Sequence, residues 1–113
     1  MVKIMKIKIH NDVWKVKLVD ANAKKMNPDP NSYNFGLTEY KELLISIMDG
    51  RSESVTRSTL IHELVHAFLF SYGHTVEGEE AMCDFFGVHG DEIIDLTNQI
   101  MERWGDRCLQ SKK

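Results

Sequence analysis

The strongest constraint on the fold is an amphipathic segment at residues 52–72. Ser52 and Ser54 precede its apolar part as candidate N-caps, and Gly73 follows it as a candidate stop. Its apolar side chains recur at spacings of three and four, the period of one helix face; they are Ile61, Leu64, Val65, Phe68, Leu69 and Tyr72. The pattern predicts an α-helix that buries this face against the rest of the chain.

Alternating apolar and polar residues predict strands before this helix. Residues 1–19 alternate on both sides of a turn signal at Asn11-Asp12, which favours an antiparallel hairpin with one solvated face. Residues 20–34 are polar, contain both prolines and predict a long loop. Strand character returns in Tyr33–Thr38 and in Leu43–Met48. We therefore expect the sheet to be antiparallel.

Two further helices are predicted after the first. One spans Glu77–Val88, where His89-Gly90 interrupts the pattern, and Asp91 can cap the next. A chain of 113 residues has the length of one domain. The expected fold is α+β, with a small antiparallel sheet packed on one side by three helices, in a single domain over residues 1–113.

Composition excludes several classes of function. The net charge is −3, which argues against a protein that mainly grips phosphate backbones, so a nucleic-acid partner is not expected. No segment approaches the ~18 consecutive apolar residues of a membrane span. Cys83 and Cys108 lack a paired spacing and are interpreted as reduced thiols. We expect a cytoplasmic protein without a membrane partner.

The amphipathic segment also carries the chemistry, in the run His62-Glu63-Leu64-Val65-His66. Residues four apart lie one above the other on a helix, so both imidazoles project from one side and can reach a single ion. Glu63 is rotated by ~100° from His62 and flanks the ion, where a general base for an attacking water belongs. His62 and His66 are predicted zinc ligands, and Glu63 the catalytic base.

A catalytic zinc site needs a third protein ligand. Glu80 is the predicted one, because it lies one helical turn before Asp84, which could accept the spare N–H of a ligand histidine and fix its orientation. His74 and Glu79 are the alternatives for the third position.

These residues resemble the gluzincin branch of zinc peptidases, the thermolysin type. That branch carries H-E-x-x-H on one helix and a glutamate ligand on the next, followed four residues later by an aspartate. The resemblance implies His62, His66 and Glu80 as ligands, Glu63 as base and Asp84 as the residue that orients a ligand histidine. The chain is far smaller than thermolysin, and it has no identifiable counterpart of the downstream histidine that steadies the transition state there.

Two other groups share parts of the pattern. The segment Thr59–Phe70 resembles the active helix of SprT-like proteases, which usually supply a third histidine; His74 would be the candidate here. Small ImmA/IrrE-like metallopeptidases, often encoded on phages and mobile elements, resemble the layout of roughly residues 33–90. The metzincin pattern is excluded, since Leu69 and Tyr72 stand where it needs glycine and histidine.

The sequence thus predicts a zinc-dependent metallopeptidase that acts on a protein or peptide substrate. The substrate is expected to lie extended along a sheet edge at the Leu43–Met48 strand. The alternatives are a zinc-stabilised interaction module without catalysis and a SprT-like protease associated with DNA. Tyr33, Tyr40 and Tyr72 are candidate hydroxyl donors to a tetrahedral intermediate.

Overall fold

Two α-helices and a four-stranded sheet build the part of the chain that the computed structural model describes, residues 4–105. Cys108, interpreted above as a reduced thiol, lies outside these residues. The order of elements is β1 (Ile4–Ile9), β2 (Asp12–Val19), a 3-10 turn (Lys24–Met26), β3 (Gly36–Glu39), β4 (Leu44–Met48), α1 (Glu53–Ser71) and α2 (Glu79–Trp104).

The predicted hairpin is confirmed. β1 and β2 pair antiparallel from Ile4 opposite Lys17 to Ile9 opposite Asp12. A two-residue turn joins them, and His10 adopts a φ of 56° there. Because side chains alternate across a strand, one face of the hairpin is apolar and buried while its lysines point to the other face.

The sheet is mixed, which corrects the antiparallel sheet expected from the sequence. Its order is β1-β2-β4-β3, and β2 pairs parallel with β4. After β2 the chain passes beyond β4 to form β3, then returns antiparallel as β4. The long segment between β2 and β3 makes this crossing possible, since parallel neighbours cannot be joined by a tight turn.

β4 is a central strand, so the expectation that Leu43–Met48 offers a sheet edge is wrong. Ile45 and Ile47 are buried on one face of β4, while Ser46 and Met48 are buried on the other. The 3-10 turn contributes to the second face, because Met26 is fully buried and Lys25 Nζ lies 3.4 Å from Ser46 Oγ. A strand buried on both faces is typical of a sheet interior, and the outer strand on this side is β3.

The predicted first helix is confirmed as α1, together with both of its end signals. The Ser52 hydroxyl accepts a hydrogen bond from the Val55 amide (3.2 Å) and caps the amino terminus. At the other end Gly73 has a φ of 69°, and the amides of Gly73 and His74 donate to the carbonyls of Phe70 and Leu69. This is a Schellman ending, which requires the left-handed conformation that glycine adopts readily.

α2 is one continuous helix, which corrects the prediction of three helices. His89 and Gly90 lie inside it. A glycine inside a helix costs about 1 kcal/mol relative to alanine. Phe85, His89 and Ile93 are buried on one face of α2, and burying one large apolar side chain contributes about 1.5–3 kcal/mol. Burial along this face therefore outweighs the local cost of the glycine.

The core lies between the apolar face of the sheet and the two helices. Trp14 and Val16 from the sheet, Leu64 and Phe68 from α1, and Trp104 from α2 belong to one cluster of buried side chains. Neither helix in the described range 4–105 is long and apolar enough to cross a membrane.

Candidate metal centre

The motif helix α1 runs alongside the outer strand β3 in the same direction. Gly36 at the start of β3 lies against Thr59, and the Tyr40 ring just after β3 lies 5.1 Å from the Phe70 ring. Between these two contacts, Thr38 touches Glu63. The strand edge and the helix therefore border the same surface, with the motif in its middle.

The two motif histidines converge as their spacing predicts. The Nε2 atoms of His62 and His66 are 3.3 Å apart. His62 is exposed and His66 half-buried, so the pair sits at the border between core and solvent. Two nitrogens that each bind a tetrahedral zinc at about 2.0–2.1 Å are about 3.3–3.4 Å apart. The observed separation equals the one expected for two ligands of one such ion, and it is also that of a direct hydrogen bond between the two rings.

Glu63 points away from this solvent border and into the contact between α1 and β3. Only 7% of its surface is exposed, and its Oε1 accepts a hydrogen bond of 2.5 Å from the Thr38 hydroxyl. The other oxygen, Oε2, lies against Gly36, where a Cβ atom would come within 3.0 Å of it. A buried carboxylate needs such a donor, and glycine leaves the room that this carboxylate occupies.

Tyr40 is electrostatically linked to the same carboxylate. Partial burial raises the pKa of Tyr40 above its ordinary value of 10.0, and the negative charge of Glu63 raises it further. The hydroxyl therefore stays protonated through the neutral range and keeps its ability to donate. Of the three tyrosines named from the sequence as candidate donors, Tyr40 is the one with this link to Glu63.

Glu80 and Asp84 are placed on α2. Glu80 is exposed in its first turn next to the equally exposed Glu79, and Asp84 is exposed one turn later. Asp84 borders a cavity of about 400 Å³ that His74 and His89 also line. Within residues 4–105 no three His, Cys, Asp or Glu side chains form a group that could hold a metal ion. The structure thus brings the rings of His62 and His66 together, while among residues 4–105 neither Glu80 nor its alternatives His74 and Glu79 complete a metal-holding group with them.

A separate cleft of about 450 Å³ opens beside the motif. His62 and Glu63 line it together with Tyr33, Phe35 and Gly36. The cleft connects the predicted base with the amino-terminal end of the β3 edge, where an extended chain could lie.

Sequence reasoning missed Thr38 and Gly36 as parts of the site. Thr38 is 25 positions from Glu63 in the sequence. No local pattern signals a contact over that separation, because it depends on how β3 docks against α1. The glycine inside the predicted strand Tyr33–Thr38 is the one visible hint, since glycine in strands often marks close approach by another segment.

No protein-family model, curated protein or solved structure matches the chain.

Proposed function

We propose that this protein is a zinc-dependent metallopeptidase of gluzincin type, which hydrolyses peptide bonds with Glu63 as general base. The observation that carries the proposal is the 3.3 Å separation of the two Nε2 atoms of His62 and His66, with a buried, hydrogen-bonded carboxylate on the next residue of the helix.

The histidine pair fits zinc in donor type and in separation. Imidazole nitrogen is a preferred ligand of zinc, which binds four ligands tetrahedrally. A zinc ion held by these two imidazoles would supply Lewis-acid chemistry, which polarises a carbonyl and lowers the pKa of water towards ~7. Glu80 remains the proposed third ligand. Its recruitment requires the first turn of α2 to approach α1 when zinc binds.

Glu63 carries out the proton transfers in the proposed reaction. It accepts a proton from the attacking water as the water oxygen bonds to the carbonyl carbon, and it delivers a proton to the amide nitrogen as the C–N bond breaks. Thr38 holds one carboxylate oxygen by its hydrogen bond, which leaves the other to handle the proton. Tyr40 is the proposed hydroxyl donor to the developing oxyanion.

The substrate is a protein or peptide that lies extended on the outer edge of β3. β3 is the last strand of the sheet on this side, and its Thr38 contacts Glu63 of the motif. An unpaired strand edge offers main-chain hydrogen bonds to an extended peptide. This replaces Leu43–Met48 as the expected binding strand.

The proposed setting is the cytoplasm, and the proposed origin is a phage or mobile element. A free, exposed Cys83 is compatible with a reducing compartment. The proposed origin is supported by the resemblance of the sequence to the ImmA/IrrE-like layout. Nucleic acid is not among the proposed partners.

The decisive experiment compares zinc-loaded wild type with Glu63→Gln on an unfolded protein substrate and a random peptide library, read by mass spectrometry. Glu63→Gln removes the base but keeps the size of the side chain. It should retain zinc and lower hydrolysis by at least ~10²-fold. Glu92→Gln is the matched control, because Glu92 is exposed on α2, and it should behave as wild type.

Two results would contradict the proposal. Hydrolysis that survives Glu63→Gln undiminished would exclude this residue as the base. A protein that binds no zinc after reconstitution would exclude the metal centre, and with it the assignment to zinc peptidases.

A further inference from the structure

We propose that a further cavity, located at Arg51, binds the carboxylate group of a ligand that has an apolar body. The cavity has a volume of about 360 Å³. Its lining comes from the segment between β2 and β3, from the end of β4 and from the turn before α1, and consists of Ala21, Asn27, Tyr33, Phe35, Met48 and Arg51. No residue of the histidine motif lines it, so the proposed site does not depend on the proposed metal centre.

The charge of Arg51 has no partner within residues 4–105. Its Nε is shielded from solvent and has no hydrogen-bond partner. The acidic residues nearest in sequence, Asp49 and Glu53, form no ion pair with it, and the one ion pair of the described range joins Lys25 to Glu39. A buried donor without a partner costs free energy, and a charged one costs more. An anionic ligand in the adjoining cavity would supply the missing acceptor.

Phe35 holds the guanidinium from one side. Arg51 Cζ lies over the Phe35 ring, 5.9 Å from its centroid. A cation within about 6 Å of the face of an aromatic ring is attracted by the ring. The N–H groups of a guanidinium lie in its plane, so a contact through its central carbon leaves them available. Their planar fork matches the two oxygens of a carboxylate, which can accept two parallel hydrogen bonds.

Hydrogen bonds between its segments fix the walls of the cavity. The Met48 amide donates to the Phe35 carbonyl (2.7 Å), which ties the end of β4 to the start of the β3 region. Asn27 Nδ2 donates to the carbonyls of Ala21 (2.7 Å) and Ala23 (3.0 Å), which closes the loop on the other side. The cavity is therefore preformed, and a preformed site loses less free energy to ordering when a ligand binds.

The lining selects a single negative charge on an apolar body. Arg51 is the one charged residue among those that line the cavity, while Phe35 and Met48 contribute apolar surface. A phosphate group carries up to two negative charges, whereas a carboxylate carries one, which a single guanidinium balances. The volume lies in the range of about 300–1,000 Å³ that small-molecule sites occupy. The ligand class is thus a monocarboxylate.

Two sources can present this carboxylate, a small free acid and the carboxyl end of a peptide. Tyr33 and Phe35 also line the cleft beside His62 and Glu63. A peptide that places its terminal carboxylate at Arg51 could therefore extend past these two rings into that cleft. A small acid would occupy the Arg51 cavity alone.

The test measures binding to the metal-free protein by titration calorimetry. The small probes are 3-phenylpropionate and its neutral amide, and the peptide probes are acetyl-Gly-Ser-Phe with a free carboxylate and with a carboxamide. Wild type should bind each carboxylate about 10- to 150-fold more tightly than the matching amide, the range expected for hydrogen bonds to a charged group.

Variants of Arg51 assign this preference to its guanidinium. Arg51→Met should abolish the preference for carboxylates, and Arg51→Lys should retain part of it, because lysine keeps the charge but loses the planar fork. Arg57→Met is the matched control and should bind as wild type, since Arg57 is half-buried on α1 and does not line the cavity. Melting curves report whether each variant is folded. If Arg51→Met does not fold, the comparison of acid with amide in wild type and in Arg51→Lys still decides the question.

Three results would overturn the proposed site: equal binding of acid and amide by wild type, a preference that survives in folded Arg51→Met, and no binding of any probe at millimolar concentration. Tighter binding of the peptide acid than of 3-phenylpropionate would identify a peptide carboxylate as the ligand, and the reverse order would identify a small acid. Because zinc is absent from the assay, its result does not depend on whether the zinc-loaded protein hydrolyses peptides.

Discussion

Replacing Gly36 by alanine tests the contact between β3 and α1 on which the whole site depends. An alanine Cβ at this position would lie 2.6 Å from Thr59 Cγ2, 2.9 Å from Glu63 Cγ and 3.0 Å from Glu63 Oε2. Carbon atoms pack best at about 3.5–4.0 Å. The strand and the helix must therefore separate by roughly 1 Å, or Glu63 must leave its position.

The expected cost follows from this overlap. Forcing an extra carbon into a packed contact destabilises a protein by about 1–3 kcal/mol. For a domain of this size, roughly 4 °C of melting temperature corresponds to 1 kcal/mol. Gly36→Ala should thus melt about 4–12 °C below wild type in calorimetry of the metal-free protein. Displacement of Glu63 by about 1 Å should also lower kcat/KM by about 10²-fold.

Gly87→Ala supplies the control for this experiment. Gly87 lies inside α2, and nothing surrounds the position that its Cβ would take. Since alanine is the better helix former by about 1 kcal/mol, Gly87→Ala should melt about 4 °C above wild type. If Gly36→Ala has the melting temperature and the activity of wild type, the close approach of β3 to Glu63 is wrong. The positioning of Glu63 as the base by this contact is then refuted as well.

Three other predictions concern the site. Thr38→Val should lower kcat/KM by about 10- to 150-fold with zinc content retained, because a hydrogen bond to a charged group contributes about 1.5–3 kcal/mol. Thr38→Ser should restore activity, and a Thr38→Val protein with full activity would refute the positioning role. The raised pKa of Tyr40 means that its protonated form stabilises the fold below pH 10 and that this stability is lost as pH rises through the folded pKa. Urea unfolding should therefore show that Tyr40→Phe loses less stability than wild type as the pH rises above 10. Tyrosinate absorbance should show a lower pKa of Tyr40 in Glu63→Gln than in wild type. Zinc at 100 times its dissociation constant should raise the free energy of unfolding by about 2.7 kcal/mol. His62→Ala should abolish this stabilisation, and Glu80→Ala should strongly reduce it. Equal stabilisation by zinc in wild type and His62→Ala would contradict the proposed zinc site.

Local sequence determined the elements whose stabilising contacts are near in the chain. The Ser52 cap and the Gly73 ending of α1 both depend on partners within a few residues. The convergence of His62 and His66 follows from helix geometry alone, since residues four apart share a face. The β1–β2 hairpin likewise needs one short turn and an alternating pattern.

Tertiary structure decided which edge the sheet exposes and what the base contacts. β3 rather than β4 became the outer strand because β4 pairs with β2 on one side and with β3 on the other. Thr38 reached Glu63 by the docking of a strand on a helix.

The tertiary structure also decided that α2 is continuous and where Glu80 lies. A glycine after His89 weakens the helix locally, and only the burial of His89 and Ile93 against the core outweighs that cost. Glu80 lies at the start of this helix, so its distance from the histidine pair depends on how α2 packs against α1. Sequence could indicate these residues as ligands and base because chemistry resides in the side chains, whereas their relative positions depend on contacts between distant segments.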